Sequence, residues 1–398
     1  MSLPRSLHLS AAPAGSGSDI AARRLRAALQ AATAQADWIS ADAEADRLFW
    51  LRSARASRLL GRAVDRLDRR RHGLHLSITP GLRSAVLRRW PADLIHLHWL
   101  GTGFLSLLSL QRLHKPLVWT LHDLWPLLGV ESYPPLGPVP PQGRPWELDL
   151  DPLARAIKRR CLPAGVQFVA PSRWAAELAA ATPVYQALAG ARPIAVIPNA
   201  LDPLFLQWQP PAGRPPPPPP LLLFGGSNAF SDPRKGWPLL QPLLAWLAVA
   251  APQWRFASFG EQPPAGLELP LACEHHGPIR DPQRLAALYS SAAVMVVPSL
   301  QETFGQVAAE AQACGVPVLA FANSGVASVV RDGVSGVLAA RVSSEALQQQ
   351  LAPLLHDPGR RQALGAAARR LAREQLAPAV VAAQHLELYQ QLLAPSGF

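Results

Sequence analysis

The sequence predicts an α/β protein of two domains, each a parallel sheet built from βαβ units. Three observations carry this. Short apolar runs alternate with Ala/Arg/Leu-rich helical stretches through both halves, the pattern of helices crossing between parallel strands. A length of 398 residues suits two or three domains. A Pro-rich break separates the halves: eight of the eleven residues from Pro210 to Pro220 are Pro. Proline cannot donate to a helix or sheet, so this segment reads as an extended spacer.

The elements run in order along the chain. Leu7–Ser10 reads as a strand, followed by a Gly/Ser loop at Gly15–Ser18 and a helix over Asp19–Ala32. Asp37–Ser40 is a second strand, Arg47–Arg71 a helix and Leu74–Ile78 a strand. Further strands are expected at Asp93–Trp99, Pro116–Leu121, Gln167–Ala170 and Ile194–Ile197. Beyond the break, strands are expected at Leu221–Phe224, Trp254–Phe259, Cys273–His276, Val294–Pro298, Val316–Phe321 and Gly336–Ala339. Helices fall at Pro238–Ala250, Asp281–Ser290, Gln306–Cys314 and Glu345–His356, and the tail Gly365–Leu393 is helical. The predicted division is 1–206 for the first domain, 207–220 for the spacer and 221–375 for the second domain. Residues 376–398 form a last helix expected to cross back to the first domain. Two such domains imply a ligand cleft between them.

Composition narrows the function. Apolar residues make up 49% and charged residues 16%, against ~25% charged in typical chains, which excludes global disorder. The net charge is +11, and only Lys115, Lys158 and Lys235 among the 38 basic residues are Lys. Arg binds phosphate through a planar fork, so an Arg-rich surface suits anionic lipid, nucleic acid or a phosphorylated substrate. The competing explanation is compositional bias, since Ala and Pro are abundant too. Cys161, Cys273 and Cys314 form no CxxC pair, which excludes a four-Cys zinc site and fits a reducing compartment. Neither apolar stretch, Trp99–Leu110 or Trp237–Ala251, spans ~20 residues cleanly, so no membrane helix is expected. Met1–Ser10 has no long apolar core, so no signal peptide is expected.

The chemistry concentrates in Pro298–Ala320, which reads strand, polar loop, helix, Gly turn, strand. Thr303 or a neighbour is expected to cap that helix, whose free N–H groups make a phosphate site. Gly305 lets a ligand approach the backbone. Glu302 and Glu310 bracket the turn with seven residues between them. The residues alone read as a nucleoside-diphosphate site with one carboxylate on each side. No G-x-G-x-x-G comes after the first strand; Gly15-Ser-Gly17 is only a fragment. This argues against a nicotinamide dehydrogenase.

The E-x7-E pattern, with Phe304-Gly305 inside it and Gly315-Val-Pro317 after it, resembles the donor-site signature of retaining glycosyltransferase family 4. That resemblance implies the GT-B fold, two Rossmann-like domains facing a cleft. It implies that Glu302 contacts the transferred sugar and Glu310 the donor ribose. The strand ending at Gly226, followed by Asp232-Pro-Arg234-Lys235-Gly236, is similar to the family's first second-domain strand and its basic turn. Arg234 and Lys235 are then the cations at the diphosphate. Fixed cations stabilise a leaving diphosphate without a metal, so no metal or other cofactor is expected. His276-Gly-Pro-Ile279 resembles the loop that holds the nucleobase through its backbone, and Val196-Ile-Pro-Asn199 resembles an interdomain marker.

In the first half, His122-Asp123-Leu-Trp-Pro126 ends an apolar strand and resembles the family branch of exopolysaccharide and lipopolysaccharide assembly. The resemblance places His122 near the donor sugar as a catalytic residue. Gly15 and Gly17 match the position of the family's N-terminal Gly loop without its Gly-Gly pair. His96 and His98 alternate along a strand and share one face; a metal there needs a third ligand that the sequence does not name. Relatives with this branch motif often carry a Cys/His-rich insertion, whereas Leu127–Gly143 is Pro-rich without Cys, and Ser328 replaces a family Glu.

The expected function is retaining transfer of a sugar from a nucleotide-diphosphate sugar to a glycan or lipid-linked acceptor, with no nucleic-acid partner. One alternative is a metal-dependent GT-A transferase using Asp149-Leu-Asp151, although Asp151 also reads as a helix cap. Another is a catalytically dead binding subunit, against which Glu302, Glu310, Arg234 and Lys235 all stand intact. The expected location is cytoplasmic. Arg55, Arg58, Arg62, Arg66 and Arg69 form one helical stripe, with Trp38, Phe49 and Trp50 nearby, which predicts a peripheral contact with an anionic membrane surface.

Overall fold

A computed structural model describes residues 3–40, 82, 84–100, 104–137, 148–188, 190–209 and 219–394. The expected Arg47–Arg71 helix with its Arg stripe, the expected strand at Leu74–Ile78 and the Pro215–Pro218 run lie outside the described residues. The chain divides into two compact units, Met1–Ile197 with Ala382–Phe398, and Pro198–Val381. The boundary falls ahead of the Pro-rich spacer because Leu201, Phe205 and Leu206 are buried in the second unit's core. Packing of apolar side chains, not proline content, decides where the first unit ends.

The first unit holds β1 (Ser6–Ser10), β2 (Ala36–Ser40), β3 (Leu94–Leu97), β4 (Leu117–Thr120), β5 (Gln167–Ala170) and β6 (Ala195–Val196). They pair in parallel in the order β2-β1-β3-β4-β5-β6. Side chains alternate across each strand. Leu7, Leu9, Ile95, Leu97, Leu117, Trp119 and Leu121 enter the main apolar core on one face. Ser6, His8, Ser10, His96, His98, Thr120 and His122 therefore share the opposite face. Tyr389 and His385, from the Pro378–Leu393 helix, lie against this polar face.

The second unit holds β7 (Leu221–Gly225), β8 (Arg255–Phe259), β9 (Cys273–His275), β10 (Val294–Val297), β11 (Val318–Phe321) and β12 (Gly336–Ala339). Their order is β12-β11-β10-β7-β8-β9, again all parallel. Apart from Leu74–Ile78, which lies outside the described residues, the expected strands are present in both units, with several ends shifted by a residue or two. The helical tail consists of two helices, Pro358–Gln375 and Pro378–Leu393, the second being the expected last helix. Pro378 has no N–H to offer the preceding turn, so the first helix stops ahead of it. Among the described residues no helix is long and apolar enough to cross a membrane.

Both sheets are doubly wound. In the second, the chain runs outward from β7 to β9, then restarts at β10 on β7's other side. The reversal opens a crevice beyond the carboxyl ends of β7 and β10, where ligands of such sheets bind. In the first sheet the reversal lies between β1 and β3.

Candidate functional site

The loops after β7 and β10 build the crevice of the second unit. After β7, Gly226 leads to a short 3-10 turn at Pro233–Lys235, whose Asp232 cap accepts from the Arg234 N–H at 2.9 Å. After β10, Pro298 leads through Glu302 to the Gln306–Ala313 helix. The two loops are stapled together. The Leu300 N–H donates to the Arg234 carbonyl at 2.7 Å. The Lys235 ammonium donates to Glu302 Oε2 at 2.7 Å. Gly236 sits at φ +74, and a Cβ there would lie 1.9 Å from the Pro298 carbonyl oxygen. Only glycine allows both that left-handed backbone and that approach.

Gly305 is the cap residue of the Gln306–Ala313 helix, with φ +91 and no side-chain cap bond. The cap position falls on Gly305, a neighbour of Thr303, and the turn enters the helix through this left-handed glycine. The first amides of the helix therefore keep a positive end toward the crevice. The turn is held from behind by the Gly325 N–H, which donates to the Glu302 carbonyl at 2.7 Å. Ser328, where the family has Glu, ends that buttressing Gly325–Ser328 turn.

The remaining expected donor residues sort by environment. Arg234 pairs with Asp232 at 2.6 Å; burial pulls the Asp232 carboxyl up, but the guanidinium holds it below the usual range. Arg234 thus has a counter-charge in its own loop, as Lys235 has in Glu302. The Phe304 ring is buried in the core. It anchors the turn and does not offer its ring as a contact surface, because that small turn needs an apolar foot. Ile279 packs against the same core, while Gly277 of its loop accepts from the Gly260 N–H at 2.7 Å. Glu310 is buried, accepting from the Tyr289 hydroxyl at 3.1 Å and from the Gln306 amide at 3.3 Å. Burial, then the nearby Glu310 charge, pushes the Cys314 thiol up to about 12, so it is a packing residue.

In the first unit, Gly15 lies in the loop after β1, and Gly17 is the first residue of the Gly17–Ala31 helix, which Ser16 caps. A Cβ at either glycine would meet nothing within 4 Å. Asp123 accepts from Trp99 Nε1 at 3.1 Å, the Ser132 hydroxyl at 2.9 Å and the Trp125 N–H at 3.0 Å. The buried Lys158 ammonium caps the carbonyls of Trp125, Leu128 and Gly129 and lies over the Trp125 ring at 4.1 Å. Together they fix the loop after β4, so Asp123 organises backbone. Asp149 and Asp151 are likewise engaged. Asp149 accepts from the Asp151 N–H at 3.2 Å, and Asp151, expected as the cap, is instead the first residue of the Asp151–Cys161 helix. Asp151 is buried, accepting from the Val130 N–H and pairing with Arg155 at 2.6 Å.

His122 does not stand alone. Its Nε2 lies 3.0 Å from His98 Nδ1, and His98 Nε2 lies 3.0 Å from His8 Nδ1. His8 Nε2 is 3.0 Å from the Ser6 hydroxyl. His96 bonds the Tyr389 hydroxyl through Nδ1 at 2.5 Å and Thr120 through Nε2 at 2.7 Å. Burial depresses every ring: His122 to about 4, His8 to about 3, and His96 and His98 well below the usual range. His8 is the member that sequence reading missed. It is the register partner of His96 on β3, and the available signal was a histidine inside a strand of otherwise apolar and small residues.

Residues 15–204 match the family model "Glycosyltransferase Family 4", and residues 265–371 match "Glycosyl transferases group 1". The two glycosyltransferase models thus meet the two units in turn. The chain is similar to glycosyltransferases of family 4 and has their GT-B fold. A D-inositol 3-phosphate glycosyltransferase of Segniliparus rotundus is 36% identical over 178 residues, 41% of this chain and 40% of that protein. The enzyme of the same name from Xylanimonas cellulosilytica is 49% identical over 98 residues, 25% of this chain and 23% of that protein. The matched segments of the chain span less than half of those relatives' lengths. Among solved structures, sucrose-phosphate synthase of Thermosynechococcus elongatus aligns with a TM-score of 0.69 at 23% identity, covering 98% of this chain and 99% of that one. Anabaena HepE, solved in complex with UDP and glucose, aligns with a TM-score of 0.62 at 17% identity, covering 98% and 100%. These likenesses establish the fold. A GT-A architecture for Asp149 and Asp151 is thereby excluded.

Proposed function

We propose that this glycosyltransferase moves a sugar from a nucleoside-diphosphate sugar to a glycan or lipid-linked acceptor hydroxyl, with retention at the anomeric carbon. The second unit holds the donor and the first the acceptor. The observation that carries this is the Lys235–Glu302 pair beside the uncapped helix end at Gly305.

Breaking the sugar–phosphate bond leaves extra negative charge on the departing diphosphate. A fixed cation and a helix N-terminus placed where that charge grows lower the barrier most. Lys235 supplies the cation, and Arg234 joins it where the phosphate competes with Asp232. Glu302 accepts from hydroxyls of the transferred sugar and positions it. Glu310 takes the ribose hydroxyls, with its long Gln306 contact giving way. The leaving phosphate then draws the proton from the attacking hydroxyl on the same face of the sugar. No metal takes part in this scheme. A proton NMR assay of the product tests the reading. The product should keep the anomeric configuration of the donor, and Lys235→Ala should lose transfer. An inverted product, or full transfer by that variant, would overturn it.

A further inference from the structure

One face of the first sheet gathers three buried histidines away from the donor crevice. His8 lies on β1, and His96 and His98 lie on β3, the two strands across which that sheet reverses. Their exposures are 0%, 0% and 1%. One ring nitrogen of each lies within 4.8 Å of the other two. His8 is thus the third ligand that His96 and His98 lacked in the sequence.

We propose that His8, His96 and His98 bind one late first-row transition-metal ion, copper(I) or zinc, which clasps β1 to β3. The ion takes no part in the transfer scheme, and the site is independent of that reading. Imidazole nitrogen suits copper and zinc, whereas calcium and magnesium take oxygen ligands. Bonds of ~2.0–2.1 Å at tetrahedral angles put ligand nitrogens about 3.4 Å apart. His8 Nδ1 and His98 Nε2 stand 3.0 Å apart, close to that spacing already. The His96 ring, stacked on His98 at 4.5 Å and 19°, completes the set by turning toward the ion.

A metal-ligating imidazole has its other nitrogen held by a partner, which fixes the ring and its tautomer. Each of the three rings has such a partner. The Ser6 hydroxyl donates to the Gln35 carbonyl at 3.4 Å, so its oxygen accepts from His8 Nε2 at 3.0 Å. A neutral imidazole carries one proton, which leaves a lone pair on His8 Nδ1. His98 Nδ1 faces His122 Nε2 at 3.0 Å, and coordination through Nε2 puts the His98 ring proton on that contact. His96 bonds the Tyr389 hydroxyl through Nδ1 at 2.5 Å and Thr120 through Nε2 at 2.7 Å. It yields one of these contacts to the ion and keeps the other. Burial holds the three rings neutral at pH 7, so protons do not compete for the lone pairs.

Electrostatics choose between the two ions. Among the described residues, the other charged groups that shift these rings are His122, His385 and Arg26, and none is a carboxylate. Three neutral ligands leave the ion's charge uncompensated, which costs less for monovalent copper than for zinc. The competing account of the same contacts is a metal-free cluster, with a proton between His8 and His98 in place of the ion.

The test uses the full chain without a purification tag, produced in medium supplemented with copper or zinc, because a site this buried fills as the chain folds. Elemental analysis after exchange into metal-free buffer should find one ion per chain. Binding should be lost in His8→Gln and in His98→Gln. It should be kept in His114→Gln, which alters an exposed histidine elsewhere in the first unit. X-ray absorption of the loaded wild type should show a shell of three imidazoles, and this reading stands even if the buried variants fail to fold. A wild-type chain that retains neither ion overturns the site in favour of the metal-free cluster. So does an ion retained equally by His8→Gln and His98→Gln, or an absorption spectrum without imidazole scattering.

Discussion

Lys235 and Glu302 meet at 2.7 Å although 67 residues separate them, because each lies just past a strand at the sheet's reversal point. A cation and a carboxylate are thereby placed one hydrogen bond apart beside a helix N-terminus. The two carboxylates of the E-x7-E pattern sit in unlike surroundings. Glu302 is partly exposed and paired, while Glu310 is buried against Tyr289.

That contrast separates two variants. Glu302→Gln should lower kcat about tenfold or more with a smaller change in donor affinity, since in the proposed scheme its contact serves the reacting sugar. Glu310→Gln should weaken nucleotide binding. Calorimetric titration and steady-state kinetics check both; wild-type values in both would remove the donor-site assignment.

Transfer should persist after dialysis against EDTA, because Lys235 and the Gly305 helix end supply the positive potential. An assay in chelator reads this directly. Abolished activity that manganese restores would contradict it.

Two glycines give a matched pair. Gly236 and Gly266 both sit at φ +74, but a Cβ at Gly266 meets nothing within 4 Å, while one at Gly236 meets the Pro298 carbonyl at 1.9 Å. Gly266→Ala should cost ~1 kcal/mol, the left-handed penalty alone. Gly236→Ala should cost clearly more and also reduce transfer, because it pushes Lys235 from Glu302. Melting curves and rates of both variants decide; equal losses would show that the staple between the loops is unimportant.

Acid should destabilise the first unit. The unfolded chain protonates its histidines near 6.5, whereas burial delays His122 to about 4 and His8 to about 3. Protons thus favour the unfolded state as pH falls from about 6.5 toward 4. The stabilisation is complete above that window and is lost through it, by up to ~1.4 kcal/mol per pH unit per ring. Melting points between pH 7.5 and 4.5 measure this, and a flat profile would contradict it.

The strands were legible because each is a short apolar run, and Gln167–Ala170 and Gly336–Ala339 match residue for residue. The loop-to-helix turn at Glu302–Gly305 was legible because its glycine and the strand and helix around it are local signals. The features that escaped depend on contacts distant in sequence. Nothing near Phe205 says that it packs in the second unit, and nothing near His8 says that its ring meets one 90 residues on. The Asp232 counter-charge to Arg234 was two residues away, yet only geometry shows that the turn points them together.

A nucleoside-diphosphate site at the crevice of the second sheet is tested most directly by thermal unfolding of the full chain with a panel of nucleoside diphosphates and sugar nucleotides. A ligand at a hundred times its Kd stabilises by ~2.7 kcal/mol through mass action. One nucleotide class should raise the wild-type midpoint, and Lys235→Ala should lose most of the rise. A midpoint that no nucleotide moves, or one that rises equally in Lys235→Ala, would contradict the site.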